Sequence, residues 1–273
     1  IDVSPISGTP PPIELPGRKL SRDEINALPL FHYSGKVTLV RTPEDLSHAF
    51  SRLQSAGLNG FDSDTGESGP GDMVLGFDTE TRPSFRKGKS YAPSLIQLAL
   101  EDEVFLFHLK WMPLHEELIA VFEDPCVIKT GVAVHDDMRF LSRMKPFTAR
   151  SVVDLGDVAR RNGVESRGLR GLAAAFLGLR ISKGEQCSNW GNSELSVRQI
   201  RYAATDAGIS RAVYFRMLES GPDFSQPTPM QESKRINNPT RNTIRKKPST
   251  SPPARTDGRH LYEQPIVASQ AHS

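Results

Sequence analysis

An α/β domain built on a mixed sheet is the fold this sequence predicts, and three observations carry the prediction. Short apolar runs of strand length dominate the first half, at 37–40, 74–80, 95–100 and 104–108. From 113 onward, helical stretches alternate with short strand-like runs at 127–134 and 152–153. No segment repeats, and prolines gather towards the two ends, so one folded centre lies between less ordered flanks. The expectation is a single domain of roughly 190 residues within 19–220.

Composition sets the frame. Of 273 residues, 37% are apolar, and Pro and Gly each number 21. That apolar share is low for a soluble chain and fits disordered ends. Residues 1–18 hold Pro5, Pro10, Pro11, Pro12 and Pro16 and read as an extended, disordered leader. From Pro222 onward eight Lys/Arg face four Asp/Glu, within a formal net charge of +2 for the chain. Residues 221–273 therefore read as a disordered, basic, Pro-rich tail. It is either a solvated linker or a source of weak, salt-sensitive attraction to nucleic acid. Arg245-Lys-Lys247 is likewise either a nuclear signal or a chance cluster. No apolar run approaches the ~18 residues of a membrane span, and no secretory h-region stands near the start. Cys126 and Cys187 have neither metal-type nor framework spacing. An intracellular protein with reduced thiols is expected, in the nucleus or the cytoplasm, with no membrane partner.

Taken in order, Ser21-Arg-Asp-Glu24 forms a capping box that starts a short helix through about Leu28. Val37–Val40 is a strand. Thr42 caps the next helix, Pro43 sits at its first position, and Leu46, Phe50 and Leu53 give it one apolar face. The Gly-, Ser- and Asp-rich stretch 57–72 reads as a loop with solvated aspartates. Val74 to Glu80 is a buried strand. Leu95–Leu100 and Val104–His108 are two strands joined like a hairpin by Glu101-Asp-Glu103. Helices are expected over Pro113–Phe122, Asp136–Met144, Asp157–Asn162 (ending near Gly163) and Leu169–Leu177. Ile181–Trp190 is irregular. A long helix follows Ser196 and runs to about Leu218.

The chemistry gathers at three places. In Asp78-Thr-Glu80, strand alternation points both acids to one face and Thr79 to the other. Two such carboxylates are either solvated at a strand end or bridged by a hard divalent ion, which relieves their repulsion. His135-Asp-Asp137 opens a helix; its acids either cap that helix or join the site, and His135 is a ligand neighbour or a solvated helix-start residue. Tyr202 and Asp206, four apart, share a helix face among Ala203, Ala204, Ala207 and Gly208, where something can approach closely. The loop after Thr81 carries Arg86, Lys87 and Lys89, either as a solvated turn or as contacts to a phosphate backbone. Thr81, Trp111, Met112 and Trp190 are candidate walls of a pocket for an unpaired base, with Trp190 alternatively packing the irregular segment onto the core. Arg180 and Lys183 stand where they can meet phosphates.

Phe77-Asp-Thr-Glu80, Gly131-Val-Ala-Val-His-Asp-Asp137 and Tyr202-Ala-Ala-Thr-Asp206 together resemble, in order and spacing, the three motifs of the DEDD 3'-5' exonuclease superfamily in its tyrosine subgroup. The likeness covers about Val37 to Leu218 and is nearest the Werner-syndrome-type exonuclease domain, with ribonuclease D further off. Cys187-Ser-Asn-Trp190 is also similar to a Werner-type feature. The resemblance implies a ribonuclease-H-like mixed sheet flanked by helices, forming a single catalytic domain. It implies Asp78, Glu80, Asp137 and Asp206 as ligands of two divalent cations, Mg2+ or Mn2+, and Tyr202 as the residue that orients the attacking water. The substrate implied is single-stranded or 3'-recessed nucleic acid, DNA or RNA, cut from the 3' end to nucleoside 5'-monophosphates. The alternative from another class is a silent nucleic-acid-binding or scaffold protein on the same fold. Protein partners are not specified by the sequence.

Overall fold

The structure is a computed structural model that describes residues 18–58, 73–84 and 91–221. The leader through residue 17, most of the 57–72 loop, Arg86, Lys87 and Lys89, and the tail from 222 lie outside the described residues.

Among the described residues, six strands form one mixed sheet: β1 (Lys36–Val40), β2 (Met73–Thr81), β3 (Pro93–Ala99), β4 (Glu103–His108), β5 (Val127–Gly131) and β6 (Val152–Asp154). Their spatial order is β1-β4-β3-β2-β5-β6. β3 is antiparallel to both β2 and β4, while β1 with β4, β2 with β5, and β5 with β6 pair in parallel. Thus β3 alone runs against the others. The helices are α1 (Arg22–Ala27), α2 (Pro43–Ser55), α3 (Glu116–Glu123), α4 (Val134–Met144), α5 (Leu155–Arg161), α6 (Leu169–Leu172) with a π-helical turn at Ala173–Leu177, and α7 (Val197–Glu219).

Alternation explains the layers. Met73, Leu75 and Phe77 of β2, Ile96 and Leu98 of β3, and Phe105 and Phe107 of β4 join one apolar cluster with residues of α2, α3 and α4. The intervening residues face the other way: Val74 joins the α5–α7 cluster, and Leu95, Ala99, Val104 and Leu106 meet Ala203, Ala204 and Ala207 of α7. Both faces are covered, so the strands read as nearly continuous apolar runs.

Local chemistry fixes most helix starts. Ser21, Thr42 and Ser196 each cap α1, α2 and α7 through a complete capping box. Asp154 caps α5 by accepting from Gly156 N–H and Asp157 N–H at 2.9 and 3.1 Å, so α5 starts two residues before the expected Asp157. α3 starts at Glu116, not Pro113, because the preceding residues form the turn that leaves β4, with the Trp111 and Met112 N–H groups bonded to His108 O at 3.0 Å. α4 starts at Val134, not Asp136. Its cap is Ala133, in the left-handed region at φ 60, without any side-chain cap bond. Neither Asp136 nor Asp137 caps this helix: both lie in its first turn, where their charge suits the helix dipole. The expected Leu169–Leu177 helix is α-helical only through Leu172 and ends at Gly178, φ 63.

Candidate active site

β2 carries the centre of the site. Asp78 and Glu80 project from the face of the sheet that α7 covers, and α7 brings Asp206 to them. The approach depends on Gly76. A Cβ there would stand 2.0 Å from the carbonyl oxygen of Ala207, so only glycine lets the helix backbone settle at this depth. Gly131, at the end of β5, has the same constraint: its Cβ would lie 2.2 Å from Phe77 O.

Asp78, Glu80 and Asp206 each offer an oxygen within 4.8 Å of the others. A divalent ion with oxygen bonds of roughly 2.0–2.6 Å spans that gap. Glu80 and Asp206 are buried, and Asp206 Oδ1 is shut from solvent with no hydrogen-bond partner among the described residues. A buried, unsatisfied carboxylate oxygen facing two other acids suits a bound cation. Burial first, then the neighbouring Asp206, pushes the Asp78 carboxyl well above its ordinary range. Glu80 is raised by burial and then by Asp78, Asp206 and Asp137. Asp206 is raised by burial, which a hydrogen bond from Tyr202 partly offsets. Each of these carboxyls is therefore harder to ionise alone than beside a cation, which offsets their mutual repulsion.

Asp137 flanks the trio. Its Oδ1 accepts from the Thr79 hydroxyl at 2.7 Å, and its carboxyl is raised by burial and then by Asp78. Thr79 is a site residue that sequence reasoning missed. Strand alternation puts it on the opposite face from the two acids, but nothing in that pattern says that α4 meets it there. Asp136 is exposed and paired with Arg139 one turn on. His135 is half-buried, with its pKa lowered by burial, instead of standing in water.

Tyr202 sits beside Asp206, its hydroxyl raised far above the usual phenol range by burial, then by Asp206 and Glu80. Behind it lies Trp190, fully buried, with ring centroids 6.0 Å apart and planes tilted by 45°. Trp190 is therefore not a wall for an unpaired base: it packs the 181–190 segment inward and backs the tyrosine. Met112 is not such a wall either, since it is buried in the cluster of α2, α3 and α4. Trp111 is 47% exposed and ties its Nε1 to Ser193 O at 3.0 Å. Neither it nor the exposed Thr81 lines the cleft at the acids.

That cleft encloses about 480 Å³. Asp78, Thr79, Glu80, Tyr202 and Asp206 line it together with Lys19, Ile25, the 166–171 segment, Ile181, Ser182 and Lys183. Of the two cations expected near phosphates, Lys183 lines the cleft, whereas Arg180 does not and donates to Leu28 O at 3.2 Å. Lys19, Ile25, Arg167 and Arg170 went unread, because no spacing in 18–36 shows where α1 docks.

A profile of the family described as 3'-5' exonuclease matches residues 37–220. The Mus musculus "Bifunctional 3'-5' exonuclease/ATP-dependent helicase WRN" is 35% identical over 154 residues, spanning 54% of this chain and 11% of that one. A "3'-5' exonuclease" of Arabidopsis thaliana is 27% identical over 213 residues, covering 75% of this chain and 70% of its own. The chain thus matches a small part of the mouse protein and most of the plant one. Among solved structures, the Aedes aegypti Nibbler EXO domain superposes with TM-score 0.56 at 22% identity, covering 71% of this chain and 92% of that one. Escherichia coli RNase D gives TM-score 0.54 at 19% identity, over 68% of this chain and 45% of that one. These two likenesses establish the fold, a ribonuclease-H-like sheet flanked by helices.

Proposed function

The chain belongs to the 3'-5' exonuclease family, and from that premise we propose that it hydrolyses nucleic acid from the 3' end, releasing nucleoside 5'-monophosphates with the help of two divalent cations. The observation that carries this reading is the convergence of Asp78, Glu80 and Asp206 on one point, with Asp137 alongside and an orphaned Asp206 oxygen among them.

Asp78, Glu80, Asp206 and Asp137 are the residues that would hold Mg2+ or Mn2+. When bound, the cations lower the pKa of a water and offset charge on the scissile phosphate and the leaving 3' oxygen. The protein's own part is to fix four carboxylates where, unmetallated, they are harder to ionise. Thr79 holds Asp137 in place by its hydroxyl. Tyr202 orients the attacking water by hydrogen bonding and does not take its proton, because its surroundings raise the phenol further from neutrality. Cations lining the cleft, Lys19, Arg167, Arg170 and Lys183, face the substrate's phosphates.

The test is a ladder assay on 5'-labelled single-stranded and 3'-recessed DNA and RNA, with Mg2+, Mn2+ or chelator. Stepwise shortening that needs metal, and falls by roughly 10²–10³-fold in Asp78→Asn, supports the proposal. Binding without metal-dependent cleavage on any of these substrates would instead favour the silent binding protein.

A further inference from the structure

The family match begins at residue 37, yet the cleft at the acids is walled in part by residues that come before it. Residues 18–35 run across the surface as a strap. Lys19 N–H donates to Glu165 Oε2 at 2.9 Å. Phe31 N–H bonds Arg180 O at 2.8 Å, and Arg180 N–H bonds Pro29 O at 2.9 Å. Tyr33 N–H reaches the Thr205 hydroxyl at 3.0 Å, one residue before Asp206. The strap is therefore fastened at several points, one of them beside a candidate ligand.

Two features of the wall it builds point to a ligand. The first is charge. Lys19, Arg167, Arg170 and Lys183 all line the cleft, and none takes part in an ion pair among the described residues. Arg170 is the most telling. The strap holds one end of its guanidinium through Asn26 Oδ1, while its Nε is shut from solvent with no partner among the described residues. A guanidinium donor without an acceptor is costly, and a phosphate oxygen that the side chain turns to meet is the acceptor that suits it. The second is an apolar strip. Ile25, the one buried residue of α1, lines the cleft with Val132, Leu169 and Ile181, a surface on which a sugar or base face can rest regardless of sequence.

We propose that the strap, with the Arg170 it holds, is a substrate-selecting element. It forms a subsite for the phosphodiester and sugar of the nucleotide next to the scissile one in a single-stranded 3' end. This rests on the exonuclease reading and deepens it. Lys19 and Ile25 of the strap help wall a cleft of about 480 Å³, and a single strand is what this subsite is proposed to take.

The experiment compares the full chain with Lys19→Ala, Arg170→Ala, Arg170→Lys and Ile25→Asp on two substrates. One is a 5'-labelled single-stranded oligonucleotide. The other is the p-nitrophenyl ester of thymidine 5'-monophosphate, which has a scissile phosphodiester but no neighbouring nucleotide. The expected result is that Arg170→Ala and Ile25→Asp lose roughly tenfold or more in kcat/KM on the oligonucleotide relative to the ester, chiefly through KM. Arg170→Lys should restore part of it, and the exposed Lys19→Ala, which does not threaten folding, should shift the same ratio in the same direction. Equal losses on both substrates, or none, would overturn the proposal. If the unaltered chain cleaves neither substrate with any metal, the exonuclease reading fails by itself. Fluorescence anisotropy of a labelled oligonucleotide then decides the subsite: weaker binding by the strap variants keeps it, and unchanged binding removes it.

Discussion

Tyr202 touches both the acids and the core, so its two roles can be separated. Tyr202→Phe keeps the ring on Trp190 and removes only the hydroxyl beside Asp206. Cleavage should slow by roughly 10²-fold while Mn2+ affinity, read by titration, stays within a fewfold of the parent. Gln97 tests a different residue-level cost. It pairs in register with Asp78, is wholly buried, and has neither amide atom bonded among the described residues. Gln97→Leu should therefore raise the melting temperature of the metal-free protein by several degrees, since an unsatisfied buried amide costs about 1–3 kcal/mol. Alternation along β2 made the shared face of Asp78 and Glu80 legible from sequence. It could not show that Gln97 lies beside them, because strand pairing is a property of two distant segments and neither carries a mark of its register.

Among the elements, α7 on β2 makes the site. Gly76 is the contact point, so Gly76→Val should do two things at once: destabilise by about 1–3 kcal/mol or more through overpacking, measured by denaturant unfolding, and weaken Mn2+ binding as Asp206 moves away. A loss of stability with unchanged metal affinity would show that the helix re-seats without moving the acid. α1, α2 and α7 were legible from their first residues because a side chain at each start performs the capping. The start of α4 was not, since a left-handed alanine does that work with its backbone. Buried Lys129 plays a comparable part for α3, donating to Val121 O and Asp124 O at 3.0 and 2.9 Å. A lysine inside a strand otherwise read as apolar gives no hint that its target is the end of a neighbouring helix.

For the whole molecule, the acids tie stability to pH and metal. Asp78, Glu80, Asp137 and Asp206 all have pKa values raised in the folded state, with burial the first cause. The native protein thus keeps protons that the unfolded chain releases above about pH 4, and in chelator its stability should fall as pH rises from there through neutrality. Lys129 acts in the opposite sense. Burial lowers its pKa to about 7, so its contribution improves as pH rises from 7 towards the unfolded lysine value. Melting curves in chelator and in Mn2+, from pH 5 to 8, should diverge, with the metal's stabilisation largest at pH 8. A constant metal-induced shift across that range would mean the acids are already ionised. The α/β class with a mixed sheet is readable from the order of strand-like and helical runs, whereas the helices flanking that sheet follow only from the family resemblance. No helix among the described residues is long and apolar enough to cross a membrane.

The strap also bears on where an independently folding unit starts. Phe31 packs on the cluster around α7, and the Tyr33 ring lies over Gly208, where even a methyl group would come within 3.1 Å. A recombinant fragment cut at residue 37 would bare that apolar surface and leave the backbone of Arg180 without its partners. Its yield and solubility are therefore governed by some twenty residues that a boundary drawn from the family alone would discard.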